Sequence, residues 1–302
     1  MGKNRLLLDS GLTALAPAIW GSTYLVTTQL LPPDRPLLAA TVRALPAGLV
    51  LLALGRVLPT GLWWWRALVL GTLNIGAFFF LLFVAAYHLP GGVAALVGSV
   101  QPVLVLFFAA LLLRDRVTPV HLVACVLSFG GVALLVLKST AKLDLVGVAA
   151  ALGGAVCMAA GIVLTKRWKR PVGVLLFTGW QLTAGGLVLL PVLLLVEGLP
   201  TTITTTNALG FGYLIVFGSL FGYSIWFRGT DRLPAIAMSF LGFVSPIVAT
   251  VLGYVFLTQK LTIVQLLGAL ILIGAIALVQ FNAVKQQTTA VGPLPGEPSI
   301  KV

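Results

Sequence analysis

Residues 88–102 read "HLPGGVAALVGSVQP" and residues 232–246 read "RLPAIAMSFLGFVSP". Laid over one another without gaps, at a spacing of 144 residues, they bring Pro90 onto Pro234, Gly98 onto Gly242, Val100 onto Val244 and Pro102 onto Pro246. The same spacing sets Phe79 on Tyr223 and Phe83 on Phe227 upstream, and Thr118 on Thr262, Leu122 on Leu266 and Gly130 on Gly274 downstream. A weaker match at a spacing of 137 joins "ALAPAI", which precedes Trp20, to "ALGGAV", which precedes Cys157. The chain reads as a duplication.

The duplicated unit is strongly apolar. The 302 residues are 59% hydrophobic and 9% charged, with a mean hydropathy of +1.10. Soluble domains carry about 25% charged residues, so this chain lacks the charge to coat a water-facing surface and reads as an integral protein of the lipid bilayer. The net charge of +12 does not mark a nucleic-acid binder. The basic residues lie in short gaps between apolar runs, not on one face or in a tail. Cys125 and Cys157 sit inside apolar runs and read as small core residues, with no metal or disulfide spacing. No phosphate-binding loop is present, and no cofactor is expected. Lys3 and Arg5 precede an apolar segment, but Ala16 comes too early for a cleaved leader, so the segment reads as a first span.

A crossing takes about 20 residues. With Pro, Gly and charge as punctuation, ten spans are expected at 11–31, 36–55, 66–87, 90–112, 117–137, 144–165, 173–196, 208–228, 233–257 and 261–281. Fourteen Lys and Arg residues fall at the N-terminus, in the even-numbered loops and in the tail, against four (Arg35, Lys138, Lys142 and Lys260) on the opposite side. By the positive-inside rule both termini are expected in the cytoplasm. Five spans per copy is an odd number, so the second copy enters from the opposite side. The expected fold is an all-α membrane protein of two inverted five-helix repeats, residues 1–142 and 143–282, with a flexible cytoplasmic tail at 283–302. Such folds bind substrates near the midplane, between the repeats.

Three stretches carry a family resemblance over nearly all of the spans. They are "PAIWGSTYLV" (17–26), Arg43 in the second span, and "RLPAIAMSFLGFVSPIVATVLGYVFLTQKLTIVQLLGALILIGAIAL" (232–278). Together they resemble the EamA-type branch of the drug/metabolite transporter superfamily, and within it the bacterial aromatic amino acid exporters. The resemblance implies a central cavity walled by spans 1–4 and 6–9, with spans 5 and 10 outside it. It also implies a bacterial inner-membrane location and outward movement of amino acids, related metabolites or drugs. Two positions depart from the pattern. An acidic residue before the fifth span is present as Asp115, but its counterpart before the tenth is Gln259. Small four-helix relatives use a glutamate where Ala18 stands here. All seven acidic residues lie at span ends, in loops or in the tail. Proton-coupled carriers need an ionisable group within the membrane, so facilitated transport is expected. His88 and His121 read as interfacial.

Arg43 is the one basic residue well inside a span, roughly 10 Å deep at 1.5 Å per residue. It is either a structural cation bonded to helix carbonyls or a cavity charge that meets a substrate carboxylate, and in both cases it should face the bundle. Pro102 and Pro246 are expected mid-span, freeing the carbonyls of Gly98 and Gly242. The two pairs are either packing kinks or matched hinges, with Ser99, Gln101 and Ser245 beside them. Aromatic side chains gather in spans 1, 3, 7 and 8: Trp20, Tyr24, Phe78, Phe79, Phe83, Trp180, Tyr223 and Trp226. Ser22, Asn74 and Gln181 accompany them. Singly these rings read as packing; as a group they suggest walls for an apolar or aromatic substrate. Gly130, Gly131, Gly268 and Gly274 allow close helix packing, read here as internal, and a monomer is favoured.

The function expected is therefore export of amino acids, aromatic and other, and related small metabolites. An exchanger of nucleotide sugars or sugar phosphates would need several cavity cations. Proton-coupled multidrug efflux is a further alternative. An intramembrane enzyme would need an acid/base or nucleophilic pair, which the sequence does not offer.

Overall fold

A computed structural model describes the backbone of residues 3–89, 94, 97–98, 100–136, 144–256 and 262–290. Pro90, Ser99, Gln259 and the residues from 291 onward lie outside the described residues. Among those described there are helices and no strand. In chain order they are α1 (Lys3–Trp20), α2 (Thr23–Leu30), α3 (Pro36–Gly55) and α4 (Trp63–His88). Then come α5 (Gln101–Leu113), α6 (Pro119–Val136), α7 (Leu145–Trp168) and α8 (Val174–Glu197). The last are α9 (Thr205–Arg232), α10 (Ala235–Leu241), α11 (Val244–Phe256) and α12 (Ile263–Ala290).

Among the described residues, seven segments are long and apolar enough to cross a membrane: α3, α4, α7, α8, α9, α10 with α11, and α12. They coincide with the expected spans at 36–55, 66–87, 144–165, 173–196, 208–228, 233–257 and 261–281. The stretch expected at 11–31 is divided into α1 and α2 by a break at Gly21 and Ser22. Those at 90–112 and 117–137 contain the shorter apolar helices α5 and α6. Helix α12 continues to Ala290, so the segment expected to be a flexible tail from 283 begins as helix. Lys285, Gln286 and Gln287 are good helix formers and extend the turn at little cost.

Helix ends follow local chemistry. Pro36 opens α3, where its missing N–H costs nothing. Asp144 caps α7 by accepting from the amides of Val146 and Gly147. Thr204 and Asn207 form a reciprocal capping box on α9. Glu197 caps a helix distant in sequence: its carboxylate accepts from the amides of Leu37 (2.6 Å) and Leu38 (2.9 Å) at the start of α3.

Lipid tails are as apolar as leucine, so helices in a membrane associate through close packing. The α3–α8 seam shows how. A Cβ on Gly48 would lie 2.4 Å from the Thr183 amide, and one on Gly186 would lie 2.7 Å from the Leu45 Cβ. These contacts are reciprocal at a spacing of 138 residues, and "LPAGLVLL" (45–52) lies over "TAGGLVLL" (183–190) at that spacing. Helices α6 and α12 pair through Gly131, whose Cβ would meet the Gly268 carbonyl at 2.9 Å, while Gly130 and Gly274 face open space. Leu122, Val126 and Phe129 on α6, with Leu266, Leu270 and Ile273 on α12, expose an apolar flank suited to lipid.

Three widened π-helical turns interrupt the long helices, at Thr72–Ala77, Leu193–Glu197 and Leu214–Phe221. The first and third sit at corresponding places when the chain is offset by 144 residues. Such turns disturb the regular carbonyl ladder and often mark functional positions. Nothing in the hydropathy pattern announced them.

Candidate functional site

Pro102 and Pro246 do not kink running helices as expected. Pro102 stands in the first turn of α5 and Pro246 in the first turn of α11, where a proline sacrifices no hydrogen bond. The chain between α10 and α11 turns at Gly242 and Phe243 instead. The Gly242 carbonyl is not free either, since it accepts from the Ser245 amide at 3.0 Å. A Cβ on Gly98 would meet nothing within 4 Å, so close approach does not explain that glycine. The tight approach lies at Gly21, where a Cβ would fall 2.7 Å from the Ser245 carbonyl and 2.8 Å from the Val248 Cβ. The α1–α2 break and the α10–α11 break thus press on one another.

Beside this junction lies a cavity with about 1100 Å³ of empty space, open mouth included. Its wall takes Trp20 and Tyr24 from α1 and α2, Arg43 from α3, Phe78 from α4, and Trp226 from α9. Gly98, Gln101 and Pro102 contribute from one side, and Gly242, Ser245 and Pro246 from the other. Eleven sequence-predicted positions therefore meet around one space. The cavity also includes positions that the sequence reading missed: Pro17, Thr23, Ser239 and Phe243, and the small residues Ala150, Ala151, Gly154 and Ala155 with Met158 on α7. The signal for the α7 wall was the run "AALGGAVCMAAG" (150–161), whose small side chains leave room.

The remaining predicted residues lie behind this wall or away from it. Ser22 bonds to the Ile19 carbonyl and the Tyr213 hydroxyl. Trp180 packs against Trp63 and donates to the Val57 carbonyl at 2.8 Å. Phe79, Phe83, Tyr223, Asn74 and Gln181 are all buried and line no part of the cavity. Ser99 lies outside the described residues.

The layer behind the wall is organised by the two repeat-related π turns. In the second, the Gly218 carbonyl accepts from Trp20 Nε1 at 2.9 Å and from Arg43 Nη2 at 3.3 Å. The Arg43 guanidinium lies 4.4 Å from the centre of the Phe79 ring, a cation–π contact. Phe79 in turn meets Tyr223, which meets Trp20, which meets Trp226. Arg43 is 1% exposed, and its Nε and Nη1 have no hydrogen-bond partner among the described residues. In the first π turn the Asn74 carbonyl accepts from the Tyr223 hydroxyl at 3.3 Å. The Asn74 amide donates to Gln181 Oε1 (2.7 Å) and Thr165 Oγ1 (3.1 Å). Both turns thus offer a carbonyl to a donor from a distant helix.

The two ends of the bundle differ. At one, Asp9 accepts from Arg228 at 2.8 Å with Arg232 at 3.6 Å, and Arg170 pairs with Asp231 at 2.6 Å. Lys166 donates there to the carbonyls of Thr230 and Leu233. At the other, His88 meets Asp144 at 3.0 Å and Arg35 Nη2 donates to the Glu197 carbonyl at 2.7 Å. The lining runs from Ala150 to Met158 on α7 and from Phe78 to Ala85 on α4, mostly in the part of each helix nearer His88 and Asp144. Among the described lining residues none is acidic, and Arg43 is the single cation. No group of three or more metal-ligating side chains occurs among the described residues.

The EamA-like transporter family matches the chain twice, at residues 10–137 and 145–281. Protein PecM of Dickeya dadantii is 50% identical over 281 residues, covering 92% of this chain and 94% of that protein. An uncharacterized transporter of Bacillus subtilis, YvbV, is 29% identical over 93% of this chain and 94% of its own length. The uncharacterized inner membrane transporter YedA of Escherichia coli K12 is 29% identical over 86% and 87%. A solved crystal structure superposes with a TM-score of 0.77 at 20% identity, covering 92% of this chain and 98% of that one. At that identity the likeness speaks for the fold alone.

Proposed function

The chain belongs to the EamA-like transporter family, and on that premise we propose that it is a secondary carrier exporting amino acids and related small metabolites by alternating access. Its ten spans form two inverted five-helix repeats, 1–142 and 143–282. The twofold family match, the reciprocal Gly48–Thr183 and Gly186–Leu45 contacts and the paired π turns support that reading. The observation that carries the function is the shared cavity. Residues of α1–α5, of α7 and of α9–α11 converge on one space, with aromatic walls and a buried guanidinium at its edge.

The carrier sits in the bacterial inner membrane with the Asp9–Arg228 end in the cytoplasm, where the Lys and Arg excess lies. The captured state is then outward-facing: ion pairs close the cytoplasmic end, and the cavity lies toward the other. Substrate-binding residues are Trp20, Tyr24, Arg43, Phe78, Gln101, Trp226 and Ser245. The breaks at Gly21–Ser22 and Gly242–Phe243 act as the hinges.

Transport is facilitated, because no acidic residue lines the cavity among those described, and a proton relay needs such a group. Sugar-phosphate exchange would call for a cluster of cations, whereas Arg43 is the single cation among the described lining residues. The test is a competition screen in proteoliposomes with neutral, basic, acidic and aromatic amino acids against a labelled aromatic tracer. Saturable uptake blocked by neutral aromatic amino acids is expected. Accumulation driven by an imposed pH difference alone would overturn the facilitated mechanism, and absence of saturable flux would overturn the carrier.

A further inference from the structure

We infer that the cavity selects organic monoanions with an apolar or aromatic body over zwitterions, and zwitterions over cations. This deepens the carrier reading and rests on it for the site's purpose. The argument begins with an imbalance of charge. A guanidinium carries five N–H donors and stays ionised. In Arg43 the Gly218 carbonyl engages Nη2, while Nε and Nη1 have no partner among the described residues. The side chain is 1% exposed and belongs to the cavity wall. The Phe79 face at 4.4 Å covers one side of the plane without supplying an acceptor for those N–H bonds. A buried cation left in this condition is costly; a carboxylate bound against this wall would offset its charge, and a small displacement of the wall would bring it onto the unpaired donors.

The rest of the wall has nothing comparable for a cation. Thr23, Gln101, Ser239 and Ser245 are neutral, and no described lining residue is acidic. An ammonium group would find the ring faces of Trp20, Phe78 or Trp226 and neutral oxygens such as Gln101 Oε1, none of which carries a negative charge, while Arg43 repels it across a medium of low dielectric. The free ammonium of an amino acid is thus tolerated rather than recognised. Removing it should improve binding, and removing the carboxylate should abolish it.

Three molecules of nearly one shape isolate the two groups: 3-phenylpropionate, phenylalanine and phenethylamine. Binding to the purified full chain in detergent at pH 8 is read by the ligand-induced rise in unfolding temperature and by tryptophan fluorescence, since Trp20 and Trp226 border the cavity. The expected order of affinity is 3-phenylpropionate, then phenylalanine at least tenfold weaker, then phenethylamine without measurable binding. Arg43→Gln should erase the preference for 3-phenylpropionate, and Arg43→Lys should keep part of it. Equal or tighter binding of phenethylamine overturns the inference, as does an order unchanged in Arg43→Gln, or no binding by any of the three. If Arg43→Gln fails to fold, the order in the native chain and in Arg43→Lys still decides. The expected order without saturable flux in proteoliposomes sinks the carrier and spares the charge selection. Saturable flux without that order does the reverse.

Discussion

Positions 74 and 218 occupy equivalent places in the two halves, each within a π-helical turn and each offering a carbonyl to the opposite half, yet their chemistry has diverged. Asn74 donates to Gln181 and Thr165 and lies away from the cavity. Gly218 has no side chain, and its bare carbonyl seats Trp20 and Arg43 at the cavity edge. Across the α3–α8 seam, the 138-residue spacing that pairs Gly48 with Gly186 also sets Arg43 against Gln181. One backbone device has thus served two ends. In the first half it joins a neutral polar seam in which Gln181 Nε2 is left unpaired among the described residues; in the second it holds a charge with unused donors.

Substitutions can separate these roles, beginning with the largest expected change. A Cβ on Gly161 would lie 1.9 Å from Asn74 Oδ1, so Gly161→Ala should destabilise the protein by about 2–4 kcal/mol through overpacking and a broken network. Thermal unfolding in detergent measures it, and a stability equal to the native chain would show that the seam is not rigid. Asn74→Ala leaves Gln181 and Thr165 without their shared donor and should cost about 1–3 kcal/mol. The order of ligand affinities should survive, and its loss would merge the two roles that the comparison separates. Gly218→Ala should change stability by within about 1 kcal/mol. Its Cβ would sit 3.4 Å from Arg43 Nε and Nη2, an ordinary contact that covers the unpaired Nε and crowds the Nη2 bond to the Gly218 carbonyl. A severalfold loss of 3-phenylpropionate affinity is expected, read by the same fluorescence titration.

The smallest effect belongs to Asp144, remote from both turns and useful as a baseline. The His88 hydrogen bond, and after it the amides of Gly147 and Val146, hold its carboxyl below the usual carboxylate value. A lowered folded pKa means that its stabilising contribution is present above the unfolded value of about 4 and is lost as pH falls through the lowered one. Asp144→Asn should therefore reduce the unfolding temperature slightly at pH 7, and by progressively less as pH falls below about 4. A shift in ligand order from this substitution would show that binding responds to stability in general.

How much of this was legible beforehand varied with the physics involved. The apolar runs and their charge gaps were readable because the bilayer imposes one length and one polarity on every crossing. The 144-residue offset between Pro102 and Pro246 was readable because prolines and glycines punctuate helices locally. Pro246 does stand in the middle of the span Ala235–Phe256, but the helix is broken there, and both prolines fall in the first turn of a new helix, where no hydrogen bond is lost. Gly21, which the sequence did not single out, carries the close contact at this junction, because its neighbour, Ser245, is distant in sequence.

The sequence by itself determined a membrane-spanning, duplicated chain and a cation that cannot face lipid. Transfer free energy and helix breaking are properties of residues and their near neighbours. Only the tertiary structure decided that Arg43 stacks on Phe79 and leans on Gly218, that Trp180 and Gln181 stand away from the cavity, and that α7 supplies a wall of small residues. Those outcomes depend on which helix faces meet, and close packing between distant segments fixes that.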